Sequence, residues 1–191
     1  MTELFYPAGR HAPLIKGAKA SRAAEMLPVI DPDGQVIGQV NRSFCHSSET
    51  RPLHPVVHLY ILGRDGRFFL QQRGFSKNLF PGKWDFAVGG HVSYGEYLEE
   101  TLFREAEEEL CLHDFSPAFL ESYRFDSPTE SELVAVYAVV GSFEMSPVEP
   151  ELAGGRWWTA EEIESNLGHS VFTPYFEYEF PRLKERILSL L

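Results

Sequence analysis

Residues 90–112 read GHVSYGEYLEETLFREAEEELCL, and the spacing of their charges decides how the whole chain is read. From Tyr97 to Leu110 helix formers run without Gly or Pro, behind Val88-Gly89-Gly90 and Gly95, so a strand, a loop and a helix are predicted in that order. On that helix Glu105, Glu108 and Glu109 stand at i, i+3 and i+4 and share an arc of roughly 100°. Glu107 falls on the opposite side, while Leu102, Phe103, Ala106 and Leu110 form an adjoining apolar stripe that is predicted to anchor the helix on a sheet. Three ionised carboxylates about 6 Å apart repel by roughly 3 kcal/mol per pair at an effective dielectric near 20. A divalent cation relieves that repulsion, and oxygen-only ligands select hard ions, Mg²⁺ first with Mn²⁺ able to substitute. A solvated acidic face would carry the same side chains at under about 1 kcal/mol per pair. The six residues Gly90, Glu96, Arg104, Glu105, Glu108 and Glu109 coincide at these intervals by chance on the order of once in 10⁷ starting positions, which favours the metal.

Upstream, the chain reads as two hairpins. Leu27 to Ile30 and Gln35 to Val40 flank Asp31-Pro32-Asp33-Gly34, and Val56 to Leu62 and Arg67 to Gln72 flank Arg64-Asp65-Gly66; both linkers hold the Asp and Gly that tight turns select. Downstream, Leu133 to Val140 is apolar and uncharged, as a buried strand requires, and Gly154-Gly155-Arg156-Trp157-Trp158 leads into another strand. Thr159-Ala160-Glu161-Glu162 has capping-box spacing and starts a helix at about Ala160, and a last helix is predicted from about Pro174 to Leu191. Hairpins with a few intervening helices argue for a mixed α/β sandwich.

At 191 residues the chain suffices for one well-buried domain, assigned to 27–191, with residues 1–26 as an N-terminal arm that lacks an apolar period. Seventeen Lys and Arg against 28 Asp and Glu, a formal net charge of -11, repel nucleic-acid backbones and anionic lipid at long range. Neither nucleic acid nor membrane is an expected partner, and no apolar run approaches the roughly 20 residues that span a bilayer. An anionic small molecule is admissible where local cations or a metal outweigh the global field. Cys45 and Cys111 lack metal-knuckle spacing and nothing near the start resembles a signal peptide, so a reduced cytoplasm is the expected location. Residues 1–26 and the aromatic-rich stretch from Phe172 to Phe180 are candidate surfaces for a homodimer.

Residues 90–112 resemble the Nudix box, Gx5Ex7REuxEExGu with u an aliphatic residue, and the likeness extends from about Val29 to the C-terminal helix. The resemblance implies the Nudix α/β/α sandwich around a mixed sheet. It also implies a divalent-metal-dependent hydrolase that cuts the diphosphate linkage of a small-molecule substrate, a nucleoside diphosphate derivative or related organic pyrophosphate. By resemblance, Glu105, Glu108 and Glu109 are metal ligands, Gly90 lends its carbonyl oxygen, Arg104 orients the glutamates and Glu96 braces the loop. Cys111 departs from the box, standing where a glycine eases the helix exit. Gln71-Gln72-Arg73, Lys77 and Pro81-Gly82-Lys83-Trp84-Asp85 resemble the approach to the box in one Nudix branch, which makes Arg73 and Lys77 candidate phosphate contacts. Glu151 lies where many Nudix hydrolases carry a general base on a loop, with Glu149 as its competitor.

The order of hairpins, histidines and Glu130-Ser131-Glu132 is also similar to isopentenyl diphosphate isomerase, another enzyme of this fold. Its separate metal site implies a second one here from His46, His54, His91, Glu130 and Glu132, although the His46 to His54 spacing is one residue longer than that pattern. The catalytic cysteine of the isomerase falls on Gly89, which has no side chain to move a proton, so hydrolysis is the preferred reading. A third reading, a non-catalytic nucleotide-binding module, leaves three mutually repelling carboxylates without a purpose.

Overall fold

The computed structural model describes residues 25–45 and 49–191. The arm expected over 1–26 lies outside the described residues except for Glu25 and Met26, as does His46. The chain clusters into two compact units. Among the described residues the first is 25–45, 49–56, His91–Thr101 and Ser122–Ala135; the second is Val57–Gly90, Leu102–Glu121 and Val136–Leu191.

In the first unit, strands β1 (Met26–Ile30) and β2 (Val36–Asn41) pair antiparallel. Their turn is made by the predicted residues: Asp31 Oδ1 accepts from the amides of Asp33 and Gln35, each at 2.9 Å, and Gly34 sits at φ 82°. A short helix α1 (Arg42–Cys45) follows. The Glu25 carboxylate accepts from Arg42 Nη1 and Ser93 Oγ, both at 2.8 Å, and so ties β1 to the stretch that follows His91.

The main sheet is built from β3 (Leu53–Leu62), β4 (Phe68–Arg73), β5 (Trp84–Asp85), β6 (Val88–His91), β7 (Ala118–Asp126), β8 (Ser131–Val140) and β9 (Leu152–Trp158). Its strand order is β5-β4-β3-β8-β7, with β6 on β3 and β9 on β4. The helices are α2 (Leu98–Leu110), α3 (Ala160–Asn166) and α4 (Pro174–Leu188). From His54 to Leu62 every residue of β3 is buried, as a central strand covered on both faces demands. Strand β7 had no sequence expectation, because charges at Glu121, Arg124 and Asp126 break up its apolar alternation.

In the second unit, β4 pairs along its length with β9, from Phe68 opposite Trp158 to Arg73 opposite Leu152. Thr159 caps α3 with the full capping box expected of it. Thr173 caps α4 with Pro174 in its first turn, and the helix ends at Leu188, three residues short of the expected terminus. The aromatic stretch expected as a dimer surface is largely core, with Tyr178 as its exposed aromatic. Phe172, Phe176 and Phe180 are buried and stack in sequence with centroids 4.9 and 5.2 Å apart, and Phe68 packs edge-on to Phe180 at 5.1 Å. Phe176 and Phe180 stand at i and i+4 on α4 and, with Leu183 and Ile187, make its inward face, while Phe172 joins them from the bridge to Trp84 just ahead of the cap. The stripe on α2 is narrower than expected: Leu102, Ala106 and Leu110 are buried, whereas Phe103 is exposed and packs on Phe115 at 4.8 Å.

Candidate active site

Helix α2 sets the acidic cluster. Its buried line of Leu102, Ala106 and Leu110 fixes the roll of the helix, and the neighbouring Glu105 and Glu109 are carried down to 6% and 4% exposure while Glu107 points to solvent. Carboxylates rarely lie so deep without partners. Arg104 Nη1 donates to Glu105 Oε1 at 2.8 Å and reaches Glu108 Oε2 at 3.9 Å, and Glu108 itself is half-buried. Glu109 Oε2 accepts long bonds from the Gly89 amide at 3.3 Å and Gln71 Nε2 at 3.4 Å. A Cβ placed on Gly90 would overlap the Glu105 carboxylate, so that side chain lies directly against the backbone of β6. A Cβ on Gly89 would overlap the ring of Phe86. In the first unit, Glu96 accepts from Thr101 Oγ1 at 2.7 Å and from the Ser93 amide at 3.4 Å, closing the loop ahead of the helix.

The end of α2 carries the next part of the site. Cys111 adopts φ 52°, the left-handed conformation that the glycine of the box would supply without strain. Past it, the amides of Ser146 and Val148 donate to the carbonyls of Leu110 and Glu109 at 2.8 and 2.9 Å, so the loop before β9 is moored to the acidic helix. That loop delivers Glu151, whose carboxylate forms an ion pair with Lys77, while Glu149 is exposed. Arg73 is engaged elsewhere. Its Nε and Nη2 donate to the Leu79 carbonyl at 3.2 and 3.1 Å, and Nη1 lies 3.5 Å from Asp85 Oδ2, so this guanidinium braces the loop 74–83.

Beneath that loop is a polar group that sequence reasoning passed over. Asp85 is buried and accepts from Thr173 Oγ1 at 2.7 Å. Burial pushes its carboxyl up to about 6, against the opposing pull of Arg73, Thr173 and His58, with Glu179 adding to the rise. His58 Nδ1 in turn bonds the buried Glu179, and its ring stacks on Phe86 at 3.7 Å. Lys83-Trp84-Asp85 stood out as a motif, but nothing local shows that residue 85 faces a helix cap 88 positions away.

The first unit holds a separate cluster. Ligand atoms of His54, His91 and Glu132 all lie within 4.8 Å of one another, with the two imidazoles stacked at 5.3 Å. His54 Nδ1 donates to the Pro52 carbonyl at 2.9 Å, which leaves Nε2 facing Glu132 Oε1 at 3.9 Å. His91 Nε2 stands 3.8 Å from the same oxygen. Glu130 is also buried but lies outside this cluster. Burial, then the charge of Glu130, pushes the Cys45 thiol up to about 11, so it stays protonated at neutral pH.

Comparison with known proteins completes the assignment. The NUDIX domain family matches residues 52–176. The chain belongs to the Nudix family. An uncharacterized Nudix hydrolase of Streptomyces coelicolor is 32% identical over 166 residues, 86% of this chain and 91% of that one. An isopentenyl-diphosphate Delta-isomerase of Paenarthrobacter aurescens is 30% identical, over 85% of this chain and 92% of its own length. The crystal structure of DR0079 from Deinococcus radiodurans superposes with a TM-score of 0.70 at 27% identity, covering 85% of this chain and 99% of that one. The fold of this Nudix enzyme is therefore the α/β/α sandwich about a mixed sheet that the box implied, and its activity class is pyrophosphohydrolase. Among the described residues no helix is long and apolar enough to cross a membrane.

Proposed function

We propose that this Nudix enzyme hydrolyses the diphosphate linkage of a nucleoside diphosphate derivative with Mg²⁺, Mn²⁺ substituting. One observation supports this reading above the others: two carboxylates, Glu105 and Glu109, are buried on the same helix face as Glu108, against the glycine backbone of β6. The Arg104 guanidinium reaches Glu105 and Glu108, one cation against two anions, so the donor set of hard oxygens fits a divalent ion. Glu105, Glu108, Glu109 and the Gly90 carbonyl would hold it. When bound, it supplies charge neutralisation on the phosphate oxygens. Arg104 holds Glu105 and Glu108 in place, Lys77 meets the diphosphate, and Glu151 takes the proton of the attacking water. Water adds to one phosphorus, the P–O–P bridge breaks, and the products are a monophosphate and a second phosphorylated fragment. The mooring of the 141–151 loop on Glu109 and Leu110 supports Glu151 over the exposed Glu149 as base.

Monophosphate release from a panel of nucleoside diphosphate derivatives with Mg²⁺ tests the reading, wild type against Glu108→Gln. Activity in wild type that drops at least about a hundredfold in the variant upholds it. Equal background in both would point to a binding module instead.

The His54, His91 and Glu132 cluster favours a second reading alongside the first, a separate divalent site like that implied by the resemblance to the isomerases. Isomerase chemistry itself fits poorly, because Phe86 fills the space that a side chain at 89 would need. Isopentenyl diphosphate belongs in the panel, and its conversion to the allylic isomer would reverse the preference.

A further inference from the structure

We propose that Lys77 is an exchangeable handle: it pairs with Glu151 in the free enzyme and transfers to the diphosphate of the substrate, so that phosphate binding itself releases the base. This rests on the reading of Glu151 as proton acceptor. The two side chains are partly buried and paired, at 21% and 28% exposure. The frame that holds them does not depend on the pair. The Gly74 amide donates to the Glu151 carbonyl at 2.9 Å, the Lys77 amide to the Gly74 carbonyl at 3.1 Å, and Arg73 holds Leu79 through two guanidinium nitrogens. Backbone and arginine keep the loop in shape, so the ammonium can change partners without unfolding it.

Chemistry selects the same residue. A lysine is a compact point charge on a flexible stem, suited to moving between anions, whereas Arg73 is locked by its planar fork to Leu79 and Asp85. A diphosphate presents more negative charge to Lys77 than the single Glu151 carboxylate does. Because both anions compete for one cation, the coupling is reciprocal: Glu151 weakens diphosphate binding by as much as diphosphate weakens the ion pair.

That reciprocity yields an unusual expectation, that removing the charge of the base tightens binding. Calorimetric titration with methylenediphosphonate and Mg²⁺ compares wild type, Glu151→Gln, Lys77→Ala and the double variant, with thermal melts confirming that each is folded. Glu151→Gln binds about two- to fivefold tighter than wild type, the range of a partly exposed ion pair. Lys77→Ala binds more weakly and abolishes the gain from Glu151→Gln, and Lys77→Gln does the same should the alanine variant fail to fold. Affinity unchanged or lowered in Glu151→Gln overturns the handle, as does absence of binding in every variant. Turnover by wild type with no such gain leaves the hydrolase reading standing and removes only the handle. A gain without turnover in wild type keeps the exchange of partners at Lys77 but removes the hydrolase reading, and with it the release of a base.

Discussion

The amide of Gly74 donates to the carbonyl of Glu151 at 2.9 Å, at an approach so close that a Cβ on residue 74 would overlap the carbonyl oxygen of Pro150. Two loops 77 positions apart thereby share one hydrogen bond at the only kind of residue that admits it. Gly74→Ala must push the loops apart. It is expected to cost about 1–3 kcal/mol in denaturant unfolding, as overpacking does, and to lower kcat more than it raises KM by displacing Glu151. Turnover equal to wild type would show that the position of Glu151 is immaterial.

Gly89→Cys tests the space beside the box. The new side chain meets the ring of Phe86, which is held by stacking on His58, so a loss of about 1–3 kcal/mol is expected, with no isomerisation of isopentenyl diphosphate. Allylic product from this variant, read by mass or NMR, would show that only the thiol had been missing.

Asp85 makes stability depend on pH. Its folded carboxyl sits at about 6 against an ordinary value of 3.8, so between those values the folded state binds more proton than the unfolded one. The contribution is fully present below about pH 4 and is lost as pH rises through 6. Its size is about 3 kcal/mol, because each tenfold difference in proton affinity between the two states is worth about 1.4 kcal/mol. Unfolding free energy of wild type relative to Asp85→Asn should fall across pH 4 to 6.5 and then level. A flat difference across that window would mean that Arg73 and Thr173 offset the burial.

Cys111 departs from the box and bears the strain of that departure. Restoring the glycine, Cys111→Gly, removes a Cβ from a residue at φ 52°. A shift of about 0.5–1 kcal/mol toward greater stability is expected in denaturant melts, after the entropy that glycine adds to the unfolded chain. Activity should be unchanged, since the residue is exposed and lies beyond the last glutamate.

Periodic and local signals carried much of the structure. Spacing along α2 predicted the helix, its buried line and the shared arc of Glu105, Glu108 and Glu109, because 3.6-residue periodicity is a property of the chain alone. Turn chemistry at Asp31–Gly34 and the capping box at Thr159 were legible for the same reason: each bond spans a few residues. Phe103 and the Phe172–Phe180 face show the limit, since an aromatic residue looks alike in sequence whether a neighbour covers it or not.

What the amino-acid order determined by itself was the acidic helix, the glycine entry to it and the family. Tertiary structure alone decided that Gly74 approaches Glu151, that Lys77 holds the same residue, and that Asp85 lies under the cap of α4. Those pairs are separated by 74 to 88 positions, and no local rule specifies which distant side chain will stand opposite a given one. Sheet pairing of β4 with β9 makes that choice for Glu151, and the bridge of Trp84 to Phe172 makes it for Asp85, each by bringing two remote segments into one register.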